Sequence, residues 1–108
     1  MTVGVIMGNV QAMGVATVTL SPAAVAANTT AEQTFSLPGL LASDVVFDIT
    51  KPTAQAGLGI VGSRVAGAGQ VGITFSNNTG SSITPTAGEK YLINWMRPDS
   101  VQSGVAPT

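Results

Sequence analysis

The chain has 108 residues, a formal net charge of −1, 8% charged residues, and neither His nor Cys. Globular domains usually carry about 25% charged residues, so the ordinary solvated surface is missing. These totals exclude disulfides and thiol or imidazole chemistry, leave no basic stripe for nucleic acid, and suit one domain.

The apolar fraction of 44% is rich in Ala and Val. Helix formers are scarce, while Val, Ile and Thr favour strands, where branched side chains pack on a pleated surface. No membrane span is expected. The apolar-looking run Val3–Val18 is interrupted by Gly4, Gly8, Asn9, Gln11 and Gly14, and spanning takes about 20 apolar residues. It also lacks the basic flank of a secretory signal.

In chain order, Met1–Gly14 carries Val3, Val5, Ile6, Met7, Val10 and Met13 with no strict period, and glycines break any helix. It reads as an extended N-terminal arm. Met adapts well to interfaces, and three of the four Met lie here, so these six apolar residues are candidate contact residues. The domain proper is predicted over 15–98.

Ala16–Leu20 alternates as a strand, and Pro22 with AAVAANTT makes a loop. Glu32–Leu37 places Gln33, Phe35 and Leu37 on one face, and Pro38-Gly39 turns the chain. Asp44–Thr50 reads as a strand with Val45, Phe47 and Ile49 inward and Asp44, Val46 and Asp48 outward. Leu58–Ala66 and Gln70–Asn77 form the clearest hairpin, joined by Gly67-Ala68-Gly69, with Val71, Ile73 and Phe75 sharing a face. After the polar loop NNTGSSITPTAGE, Lys90–Met96 puts Tyr91, Ile93 and Trp95 on one side and Leu92, Asn94 and Met96 on the other. Pro98 stops it, and 99–108 has the composition of a flexible tail.

These six strand patterns predict an all-β fold, an antiparallel β-sandwich or small barrel. Phe35, Phe47, Ile73, Phe75 and Ile93 are the expected core, anchored further by Trp95. The last strand is apolar on both sides, so its outer face should be covered by a neighbouring subunit or by the arm. Two stretches, TVTLSPAAVAANTTAEQTF and ITFSNNTGSSITPTAGEKYL, echo each other, a match that low-complexity composition makes cheap.

Little here can do chemistry. Gly57-Leu58-Gly59-Ile60-Val61-Gly62 fits G-x-G-x-x-G formally, but a β-patterned segment follows it where a dinucleotide site needs a helix. No cofactor is expected. Asp44 and Asp48, four apart on a strand, would stand about 13 Å apart, too far to share a proton or a metal ion. Without His or Cys a triad would need a Lys base, and neither Lys51 nor Lys90 sits in such a motif. Neither catalytic residues nor a metal site are expected. Two Asn-x-Thr patterns, at Asn28 and Asn77, are expected by chance in so Thr-rich a chain.

Arg64 is the one charge between Lys51 and Glu89. Two readings are open: pairing with a carboxylate or carbonyl at a subunit boundary, or outward solvation. Arg97 could cap the last strand or contact a partner. Trp95 reads first as core, second as interface.

The run ANTTAEQTFSLPGL, then DVV, KPTAQAGLGIVGSRV, ITFSNNTGSSITPTAGEKY and a closing RP spans Ala27–Pro98. It resembles small β-sandwich proteins encoded in tailed-phage head gene clusters, whose nearest description is a capsid decoration or cement protein. The resemblance implies a non-enzymatic virion protein, made in the host cytoplasm, that binds the major capsid protein on the head exterior. It implies a homo-oligomer, most often a trimer, with an N-terminal arm on the shell. The first 26 residues lie outside it. A glycan-binding module of a tail fibre or baseplate, and a head-completion adaptor, are the alternatives. The first predicts exposed aromatics, the second helices and charged ring surfaces.

Overall fold

A computed structural model describes residues 10–98. They form six strands: β1 (Val10–Leu20), β2 (Thr29–Ser36), β3 (Val45–Thr50), β4 (Leu58–Gly67), β5 (Gln70–Asn77) and β6 (Glu89–Pro98). The strands make two three-stranded antiparallel sheets, ordered β1-β6-β3 and β2-β5-β4. The sheets pack face to face as a small β-sandwich, the fold class expected from the strand pattern. No helix among the described residues is long and apolar enough to cross a membrane.

The two-residue period decides which side chains are inside. From the central strands, Val71, Ile73 and Phe75 of β5 meet Tyr91 and Ile93 of β6, all fully buried. Each such side chain contributes roughly 1.5–3 kcal/mol. Phe35 packs against this cluster from β2 while staying partly exposed. The β4–β5 hairpin forms as expected, with Gly69 at positive φ in its turn.

Three expectations need correction. The arm drawn over Met1–Gly14 does not hold for Val10–Gly14, which belong to β1. Val3, Val5, Ile6 and Met7 lie outside the described residues, as does the tail 99–108. Phe47 is not core: it is exposed, as is Val45, while Val46 is buried. A bulge causes this. Val46 pairs with Trp95 and Asp48 with Asn94, so Phe47 is the extra residue and the inward phase runs Val46 to Ile49. Asp44 is not on an outward strand face with Asp48. It precedes β3 and is buried.

Three loops cross between the sheets at one end of the sandwich, within 21–28, 51–57 and 78–88. Two of them meet where Val25 and Ile83 exchange backbone hydrogen bonds of 2.8 and 3.0 Å. Asn77, buried at the end of β5, ties them together. Its amide donates to the Val25 and Ser81 carbonyls, and its oxygen accepts from the Thr79 amide and hydroxyl. That amide has no room for a glycan, so the Asn77 pattern is structural. Gly57, at positive φ, turns the chain under Thr79 into antiparallel β4, which accounts for the start of the glycine-rich run without a cofactor.

Two substitutions test this core. Asn77→Ala removes the four hydrogen bonds of that side chain and leaves the Thr79 amide without its acceptor. The Val25 and Ser81 carbonyls keep the Ile83 amide and the Thr79 hydroxyl, so the substitution should cost about 1–3 kcal/mol in denaturant unfolding. The Tyr91 hydroxyl is buried without a hydrogen-bond partner among the described residues, so Tyr91→Phe should be neutral or stabilise by up to about 1 kcal/mol. Burial, and secondarily the charge of Glu89, push its pKa up to about 12. The phenol therefore holds its proton more tightly when folded. Stability should decline as pH rises from the unfolded value of about 10 through the folded one, and Tyr91→Phe should remove that part.

Candidate interaction surface

The two outer faces of the sandwich differ in chemistry. On β2-β5-β4 the outward residues include Thr30, Glu32, Thr34 and Ser36 of β2, with Gln70, Thr74 and Ser76 of β5. Glu32 reaches across Gly72 to Arg64 of β4, whose Nε and Nη2 donate to the two carboxylate oxygens at 2.7 and 2.9 Å. A Cβ at residue 72 would strike the Glu32 side chain, so the glycine is what lets the pair close. The Arg64 hydrogen bond holds the Glu32 carboxyl below the usual carboxylate range. Of the two readings for Arg64, a carboxylate partner is the one found, within the same chain.

The outer face of β1-β6-β3 carries an apolar patch beside the exposed polar residues Thr17, Thr19, Asp48, Thr50 and Lys90. Exposed on it are Met13 (53%), Val15 (60%), Val45 (43%), Phe47 (49%) and Leu92 (38%). The register aligns Met13, Met96 and Val45 across the three strands, and Thr17, Leu92 and Thr50 four residues further along β1 and β6. Between these rows Val15 faces Asn94, whose amide points toward Asp48 at 3.5 Å. Lone exposed apolar residues are ordinary, but a contiguous patch marks a contact surface.

Trp95 and Arg97 point the other way. Trp95 shares the inward side of β6 with Tyr91 and Ile93, and its indole lies over Gly14 of β1, where a Cβ would stand 3.3 Å from Cζ2. It packs against the core while remaining half-buried, in keeping with its first reading. The Arg97 guanidinium sits 5.3 Å from the ring centroid, within cation–π range. Its Nε and Nη2 donate to Asp44 Oδ1 and Oδ2, both at 2.8 Å, and Nη2 also donates to the Gly39 carbonyl. Asp44 in turn accepts from the Leu41 amide. Arg97 therefore fastens the Pro38–Asp44 loop to the last strand. The cleft beside it, about 280 Å³ and lined by Ala16, Leu37 and Leu40 among others, offers little polar grip because its ion pair is spent on itself.

At the opposite end Lys51 pairs with Glu89 at 2.9 Å, and Thr53 bridges them by donating to Glu89 and accepting from Lys51. Among the described residues no three acidic side chains are grouped to hold a metal ion.

Of the sequence-predicted contact residues, Met13 lies on the apolar face and Val10, half-buried, opens β1. Arg64, Trp95 and Arg97 lie elsewhere. Sequence reasoning missed Val15, Val45 and Phe47 as surface residues. For Val15 the signal was present, since extending the alternation of Ala16–Leu20 back to Met13 puts Met13 and Val15 with Thr17 and Thr19. No protein-family model matches the chain, and no curated protein or solved structure is similar to it.

The pairs make an acid test. The Arg97 hydrogen bond lowers the pKa of Asp44, and the Thr53 and Lys51 hydrogen bonds lower that of Glu89. Depressed folded pKa values give stability that is full above the ordinary carboxylate range and lost as pH falls through and below it. Asp44→Ala should cost about 2–3 kcal/mol at neutral pH and flatten the acid limb of a stability–pH curve.

Proposed function

We propose that the chain is a non-catalytic structural protein of a tailed-phage virion, a decoration protein that binds the head exterior as a homo-oligomer and stabilises the shell. The observation that supports this reading is the one-sided surface. One outer face is hydroxyl-rich, with Val61 exposed at the β4 bulge, and the other presents Met13, Val15, Val45, Phe47 and Leu92 together. A protein held against a surface needs one face to bury and one to leave wet. Sparse charge lowers the desolvation cost of that burial. The sequence resemblance supplies the virion setting and the capsid protein as partner. The oligomer it implies is a trimer or dimer.

The fibre or baseplate reading draws less support. Its sugar-stacking residues would be Trp95 and Tyr91, but Trp95 lies under Arg97 and Tyr91 is fully buried.

The test uses heads purified from a tailed phage that encodes the chain. Labelled full-length protein should decorate the shell facets and lengthen the survival of heads on heating. A Phe47→Lys, Leu92→Lys variant should keep the wild-type circular dichroism, since both side chains are exposed, and bind heads at least about tenfold more weakly. Labelling confined to the vertex or tail would favour the adaptor or fibre reading. Undiminished binding of the lysine variant would remove the apolar face from the contact.

A further inference from the structure

We infer that two copies of this chain join edge to edge through β1, each strand pairing antiparallel with its mate across a two-fold axis. The occupant of the β1 edge is a second β1. This does not rest on the virion reading, and of the trimer or dimer that the resemblance implies it selects a two-fold pair.

The argument starts from the four strand edges of the sandwich. A sheet edge presents unpaired amides and carbonyls, and proteins blunt such edges with short strands, charges, bulges or a covering loop. Three edges here are blunted. β3 has six residues, a bulge at Phe47 and the charge of Asp48. β4 has two register breaks and carries Arg64. β2 carries Glu32, and its Gln33 side chain holds the passing 21–28 loop by two hydrogen bonds to the Ala23 backbone.

β1 is interrupted only at its start, by a register break between Val10 and Ala12. It is the longest strand at 11 residues, holds no charge and no proline, and runs in unbroken register with β6 from Ala12 to Leu20. Its far side has no strand partner among the described residues.

Charge selects the occupant. Strands related by a two-fold bring like residues near one another, and like charges there are destabilising. A strand with no charge avoids this. The edges of β2, β3 and β4 would each bring Glu32, Asp48 or Arg64 near its own copy.

A second β1 matches the nine-residue run from Ala12 to Leu20 along its whole length. Pairing would also make one six-stranded sheet and merge two apolar faces into one, doubling the surface that β1-β6-β3 presents.

The experiment uses the full chain in isolation. Sedimentation velocity should show a dimer, and amide hydrogen exchange should show both alternating sets of β1 amides protected. The set facing away from β6 should lose at least about a hundredfold in protection on dilution to the monomer. A Val15→Lys, Thr17→Lys variant, altered at two exposed positions, should keep its fold and raise the dimer dissociation constant by at least about tenfold. Phe47→Lys, on the far strand β3, should leave the dimer intact. A monomer at about 100 µM would overturn the proposal, whether or not its outer β1 amides are protected. So would an oligomer in which those amides exchange freely, or one that Phe47→Lys dissociates.

Discussion

The sandwich depends on the inward faces of its two central strands. Ile73 and Phe75 of β5 and Tyr91 and Ile93 of β6 are fully buried, and every other strand is placed by pairing with one of these two. β2 and β4 flank β5, and β1 and β3 flank β6. With so few large side chains, the hydrophobic term is concentrated in this narrow seam. The remaining connections are polar and local: Asn77 for the crossing loops at one end, Arg97 and Asp44 for the loop at the other.

Charge is used sparingly and almost entirely in pairs. Among the described residues, Glu32 pairs with Arg64, Asp44 with Arg97 and Glu89 with Lys51, which leaves Asp48 and Lys90 outside the ion pairs. Each pair joins segments far apart in sequence. The pairs also neutralise themselves, so the outer surface is left nearly without field. Solubility under such conditions comes from hydroxyls on β2-β5-β4 and, on β1-β6-β3, from Thr17, Thr19, Thr50 and the charges of Asp48 and Lys90 beside the apolar patch.

Much of the fold was legible because strands announce themselves by alternation. The β4–β5 hairpin, the inward set Gln33, Phe35 and Leu37, and the two faces of β6 all follow from period two. What escaped was whatever breaks the period. The Phe47 bulge inserts a residue, and no local residue type signals it; only the pairing with Trp95 and Asn94 does. Val25 and Leu40 are core residues in loops, where alternation gives no information. Asp44 falls on the outward phase of its strand pattern, and the partner that buries it stands 53 residues away. Gly14 interrupts the helical period, but only the pairing with β6 shows that its missing side chain is the space that the Trp95 indole occupies. The apolar contact surface was half legible: the two-sided apolarity of β6 pointed to it, but the contributions of β1 and β3 needed the register.

Val10 and Pro98 lie side by side at the same end of one antiparallel ladder. Tension applied between the two ends of the chain would therefore load that ladder as a zipper, opening one rung at a time, and not in shear, where many rungs must fail together. The Arg97 clamp on Asp44 and the indole seated on Gly14 stand within the first few rungs. Beyond them the rest of β1 is held by its backbone bonds and by Ala16, Val18 and Leu20 packed on the core.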